Sequence, residues 1–249
     1  MFNSFTVITT ADPDKALLAD FAARLIEEGG HLSCRVTLII VDTMATYHCA
    51  PEFLETLAKS NPRFTIKWRS YEKIMNKSKA MEAALQWADD PPVIFMDPDM
   101  AGNLSDIRRF LQAHSDGYEM VFAWRVTRKG VLWWRKLLTT AFSFSVRQLL
   151  RLPVHDINAP MVSLSGNALN LFSSMRHRLD ARISSRLGGC RALGDWVAEV
   201  PISTTEIMGR ASTFSYGMLI KVGASWFKDI VLYWRYEKKL FSRNQENDL

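Results

Sequence analysis

An α/β domain built on a mostly parallel sheet is the fold class this sequence predicts, on three observations. Short apolar runs alternate with segments of helical period through the first hundred residues, and two of those runs end in an acid. The 249-residue chain is 48% hydrophobic and has no Gly/Ser- or Pro-rich linker inside it, so one sizeable core is expected. Strands alternating with helices imply right-handed crossovers, and such sheets bind ligands beyond the carboxyl ends of their strands.

Each element has its own justification. "SFTVIT" (4–9) alternates and is β-rich, which predicts a strand. Residues 14–28 carry Leu17, Leu18, Phe21, Leu25 and Ile26 at helical spacing, and Gly29-Gly30 is expected to stop that helix. "RVTLIIVD" (35–42) is a continuous apolar run of the kind a strand buried on both faces requires. A helix over 51–59, a strand over 63–70, a helix over 77–88 and a strand over 92–97 complete the alternation. Beyond them, 119–126 and 196–204 read as strands. Residues 131–152 read as an amphipathic helix with Trp134, Leu138, Ala141, Ser145, Leu149 and Leu152 on its apolar side. The stretch 215–241 repeats that aromatic and basic character.

Charge and cysteine content narrow the class. A net charge of +5 points to anionic partners, and it is unevenly spread: 120–155 holds seven Lys/Arg and no Asp or Glu. Nucleic acid is not the expected partner, because the basic residues are interleaved with bulky aliphatics and no nucleic-acid-binding signature is present. Cys34, Cys49 and Cys190 are widely spaced without a Cys-x-x-Cys pair, so neither a disulfide framework nor a zinc site is indicated. The start lacks a secretory signal and no apolar run approaches the ~20 residues that span a bilayer. A cytoplasmic protein is expected.

"VIFMDPDM" (93–100) places Asp97 and Asp99 one residue apart at the end of a strand. Two carboxylates held close by an intervening proline repel unless a cation joins them. Hard oxygen donors, few in number, suit Mg2+ or Mn2+ that takes its other ligands from water and a diphosphate.

Three blocks in order then resemble one family. "NKSKAMEAALQWADDPPVIFMDPDMAGNLSDIRRFL" looks like a helix, strand, Asp-x-Asp motif and following helix of the inverting family 2 glycosyltransferases of GT-A fold. "FAWRVTRKGVLWWRKLLTTAFSFSVRQLLRLPVHD" and "WVAEVPISTTEIMGRAST" are similar to later blocks of that family's polyprenyl-phosphate sugar transferases, of which dolichyl-phosphate mannose synthase is typical. The resemblance implies a single GT-A domain over 1–241: a Rossmann-like, mostly parallel sheet flanked by helices, with amphipathic interface helices. The polar stretch 242–249 is left as a disordered tail. It implies that Asp97 lies by a nucleotide-diphospho-sugar donor and that Asp99 is the principal metal ligand, both catalytic. It also places Asp42 near the nucleobase or ribose and Lys77 near the base. Arg125, Arg135 and Arg210 become candidates for phosphate contacts, since a guanidinium fork matches phosphate oxygens.

The chain departs from the pattern in four places. "TTADPD" (9–14) stands where an aromatic and a glutamate are usual, and "VDTMA" keeps one acid of two. Ala101 replaces a glutamine that often joins the metal, and "ST" (212–213) replaces Ser-Lys.

An inverting transfer would build negative charge on the leaving diphosphate, and no His or Glu base motif stands out. An acceptor already ionised at neutral pH, a polyprenyl phosphate, therefore ranks first. Trp124, Trp133, Trp134, Trp226 and Trp234 beside Arg and Lys are residue types that settle on an anionic membrane surface, so peripheral attachment on the cytoplasmic face is expected. The alternatives are a saccharide or other soluble acceptor, which would need a base near Asp156, and a GT-A binding protein with a degenerate donor site.

Overall fold

The computed structural model describes residues 2–11, 14–43, 51–71, 77–88, 91–130, 133–175, 186, 190 and 193–205. Arg210 and the stretch 215–241 lie outside them, and the side chains of Lys77, Trp133, Trp134 and Arg135 are not described.

The expected α/β alternation is present. In chain order the strands are β1 (Ser4–Thr10), β2 (Arg35–Asp42), β3 (Phe64–Ser70), β4 (Val93–Met96), β5 (Met120–Lys129), β6 (Met161–Leu164) and β7 (Val197–Thr205). The helices are α1 (Lys15–His31), α2 (Glu52–Ser60), α3 (Lys77–Ala83), α4 (Ile107–Ser115), α5 (Trp133–Leu150) and α6 (Gly166–Met175), with a 3₁₀ segment Pro98–Asp106 between β4 and α4. The strands form a seven-stranded sheet in the order β3-β2-β1-β4-β6-β5-β7. Pairing is parallel except at β6, which runs antiparallel to β4 and β5.

The core explains the sequence pattern. All seven residues of β2 after Arg35 are buried, as are the four of β4, because helices cover both faces. Phe5, Ile8, Leu18, Phe21, Leu25, Leu38 and Ile94 are fully enclosed, each worth roughly 1.5–3 kcal/mol of burial. Asp14 starts α1 as its N-cap, its Oδ1 accepting the amides of Ala16 at 3.0 Å and Leu17 at 3.3 Å.

Three expectations need correction, and one strand was not foreseen. The Gly29-Gly30 pair does not stop α1, which runs on to His31. Gly29 instead lies where a Cβ would meet Val36 Cγ2 at 2.5 Å, so its missing side chain lets helix and strand close up. The left-handed residue that turns the chain is Ser33, with φ 56°. The helix expected over 77–88 divides into α3 and a 3₁₀ turn, Ala84–Trp87. Among the described side chains of α5, Ser143 and Val146 are buried, whereas Ala141 and Ser145 of the expected apolar side are exposed. Finally β6 enters between β4 and β5; its four residues are too short a run to show any period.

Candidate functional site

The strand order reverses direction at β1, with β2 on one side and β4 on the other, and this switch point is where open α/β sheets receive ligands. Thr10 ends β1 opposite Val41, and the parallel register pairing Ile8 with Phe95 carries on to set Thr10 level with Asp97. Asp42 and Asp97 therefore flank the end of β1 at one sheet edge. Asp42 is buried, and Asp97 is half-buried at the start of the 3₁₀ segment with its carbonyl accepting the Met100 amide at 3.0 Å. Pro98 is buried between it and Asp99, which faces solvent. Lys77 opens α3.

The donor set suits a divalent cation at its simplest level: two carboxylates one residue apart, one half-sheltered and one open to solvent and substrate. No third acid, histidine or cysteine gathers beside them among the described residues.

A second cluster occupies the same edge. Strand β5 runs parallel to β4 with β6 between them, and both register on β6 so that Phe122 is level with Phe95. Trp124 and Arg125 thus come level with Asp97 and Pro98, about 10 Å away at two strand spacings. A cleft of about 590 Å³ opens here, with Trp124, Arg125, Phe144, Arg147 and His155 among its walls. Four consecutive residues, Trp124 to Thr127, line it. A regular strand would alternate them; a register shift between Arg125 and Thr127 makes Val126 an extra residue and turns the backbone there.

His155 and Asp156 bring the connection 151–160 into the cleft wall, and that connection is pinned from three sides. Arg125 grips Asp156 through two bonds, Nε to Oδ2 at 2.6 Å and Nη2 to Oδ1 at 2.9 Å, and reaches the Asn158 carbonyl at 3.1 Å. Arg186, itself buried, donates to the carbonyls of Ile157 at 2.9 Å and Ala159 at 2.8 Å. Glu199 of β7 accepts the amides of His155 at 2.6 Å and Asp156 at 3.1 Å, and its other oxygen lies 2.6 Å from His155 Nδ1. The His155 ring stacks on Trp124 with centroids 4.6 Å apart.

Of the residues picked out in the sequence, the structure brings Asp42, Asp97 and Asp99 to the switch point and Arg125 to the neighbouring cleft. Arg135 lies in α5 without a described side chain, and Arg210 is outside the described residues. Glu199 and Arg186 went unnoticed. They lie 43 and 30 positions from Asp156, and only the Glu-Val-Pro block hinted at the first.

Comparison with known proteins agrees with this architecture. Among solved structures, glucosyl-3-phosphoglycerate synthase from Mycobacterium tuberculosis, in complex with Mn2+, UDP and glucosyl-3-phosphoglycerate, superposes with a TM-score of 0.60 at 16% identity, covering 92% of this chain and 78% of that one. A mannosyltransferase from Pyrobaculum calidifontis, in complex with GDP-Man and Mn2+, superposes with a TM-score of 0.51 at 14% identity, covering 84% and 58%. At these identities the likeness speaks to the fold, which is the GT-A arrangement. No curated protein sequence matches the chain. The family model for glycosyl transferase family 2 matches residues 7–177, more than half of the chain, and the protein belongs to that family.

Proposed function

We propose that this glycosyltransferase moves a sugar from a nucleotide-diphospho-sugar, held at the β1 switch point, to a polyprenyl phosphate whose head enters the β5/α5 cleft at an anionic membrane surface. One observation carries the reading: the cleft joins cationic walls to an apolar rim at the same sheet edge as the acid pair. Arg125, Arg147 and His155 offer the cationic and hydrogen-bonding groups, while Trp124 and Phe144 at its mouth are 36% and 60% exposed. An ionised head with a hydrocarbon tail matches both parts.

The bonding of Asp156 supports an acceptor that arrives ionised. Both its oxygens are taken by Arg125 and the residue is 2% exposed, so it is poorly placed to strip a proton from a sugar hydroxyl. A phosphate oxygen needs no such base. It would attack the anomeric carbon from the face opposite the diphosphate, and the bond to the leaving oxygen would break as the new one forms.

Asp97 and Asp99 would hold Mg2+ or Mn2+, the latter being present in both structural neighbours. When bound, the cation offsets the charge that develops on the departing diphosphate. Asp42 would face the nucleoside and Lys77 the base, with Arg125, Arg135 and Arg210 toward phosphate.

A second acceptor has a specific observation behind it: one neighbour was solved with phosphoglyceric acid, a soluble phosphate. Transfer assays with a prenyl phosphate and with phosphoglycerate separate the two. Calorimetry with UDP and GDP, with and without Mn2+, tests the donor half: one nucleotide binds only with the metal, and Asp99→Asn lowers transfer by about 10²-fold or more. Metal-independent binding, or none, defeats the proposal.

A further inference from the structure

We propose that His155 is a direct ligand of a phosphomonoester in the cleft, through Nε2, and that Glu199 is the residue that positions it. This rests on the acceptor cleft assigned above and names the contact within it.

The ring has its orientation set twice. A carboxylate offers only acceptors, so Nδ1 donates its hydrogen to Glu199 Oε2 at 2.6 Å. Stacking on the Trp124 indole, at an interplanar angle of 19°, holds the ring plane. Nε2 is the polar atom left over, and among the described residues no protein group bonds it. The side chain is 42% exposed, and the residue lines the cleft.

Such a ring, tied by carboxylate to one nitrogen and open at the other, is arranged for a ligand rather than for stability. A structural clamp would already be complete with the two backbone amides that Glu199 accepts. The other charged groups facing this ring are Arg125 and Asp156, which satisfy each other, and Arg147 from α5, which meets no acid among the described residues. An anion entering the cleft thus finds Arg147 on the helix wall and Nε2 on the loop. The hydrogen bond between ring and phosphate shares one proton, which either partner can carry.

The same chemistry could come from a lipid headgroup or a soluble phosphate, and the test uses both. Wild type, His155→Phe and Glu199→Ala are titrated by calorimetry with geranylgeranyl phosphate and with glycerol 3-phosphate, and UDP or GDP with Mn2+ serves as the folding control. Phe keeps the stack on Trp124 while removing Nε2. The expected result is an affinity for phosphate at least roughly tenfold weaker in both variants, as loss of a charged hydrogen bond requires, with nucleotide affinity unchanged. In wild type the His155 Nε2 resonance moves on phosphate titration, which a purely structural ring would not show. Equal phosphate affinity in His155→Phe, or an unmoved resonance, overturns the assignment. Binding of glycerol 3-phosphate through His155 without binding of the prenyl phosphate upholds the contact and removes the lipid acceptor. No binding of either by wild type overturns both.

Discussion

At the scale of single residues, buried polar groups define what this protein can tolerate. His114, 6% exposed, closes the amino end of the sheet: its Nδ1 donates to the Tyr118 carbonyl at 2.7 Å and its Nε2 meets the Ser163 hydroxyl at 2.7 Å. Burial holds its pKa below the usual 6.5, opposed by the Tyr118 bond. Above 6.5 the ring is neutral folded and unfolded, so its contribution is complete; as pH falls through that value only the unfolded chain takes up the proton, and stability declines until the lower folded pKa is reached. Urea midpoints measured from pH 7 to pH 5 should therefore fall, by at most about 1.4 kcal/mol per pH unit from this residue, and His114→Gln should flatten the slope. A slope unchanged by that substitution would show that His114 does not drive it. Arg125 makes the complementary case. Asp156 has a side chain only 3% exposed, so Arg125→Met leaves a buried carboxylate without its principal partner and should cost on the order of 3 kcal/mol in chemical denaturation. A loss under about 1 kcal/mol would mean the pair is screened as a surface pair would be.

At the scale of elements, α1 and α5 show how packing overrides a pattern. Two adjacent glycines look alike in sequence, but a Cβ on Gly29 would meet Val36 at 2.5 Å, whereas one on Gly30 meets nothing within 4 Å. Val36 is a stiff branched residue in β2 and cannot swing aside. Gly29→Ala should destabilise by about 1–3 kcal/mol, and Gly30→Ala should be neutral or stabilise by up to about 1 kcal/mol. Thermal or urea unfolding of the two single variants reads the contrast, and equal effects would refute the close approach. In α5 the helical period was readable, but the burial of Ser143 and the exposure of Ala141 and Ser145 were not. Leu137 and Phe144, seven positions apart, stand 61% and 60% exposed. Small Ser143 turns inward beside the cleft, where a large residue would fill it.

At the scale of the whole molecule, one sheet edge collects the acid pair and the cleft, and exposed apolar residues stand beside them. No helix among the described residues is long and apolar enough to cross a membrane. Trp124, Val126 and Phe144 of the cleft lining are exposed, as is Leu137 two turns before Phe144 in α5, in a stretch from 120 to 155 that has seven Lys/Arg and no acid. Vesicles rich in phosphatidylserine should sediment the protein at low salt and release it as ionic strength rises, with Phe144→Glu binding less. Sedimentation that is absent, or indifferent to salt, would remove the membrane half of the proposed function.

Much of this architecture was legible from residue order alone. Apolar runs separated by helical periods are local patterns, and they located β1 to β5, β7 and the acid pair; burial on both faces left the clearest mark on β1, β2 and β4. The shared family follows from the same blocks. What depended on tertiary structure is every feature made by residues far apart: the insertion of β6, the burial of Ser143 in α5 and the anchoring of 151–160 by Arg125, Arg186 and Glu199. Neither a period nor a motif records which strand lies beside which, so the pairing of His155 with a glutamate 44 positions away exists only once β7 has been laid alongside β5.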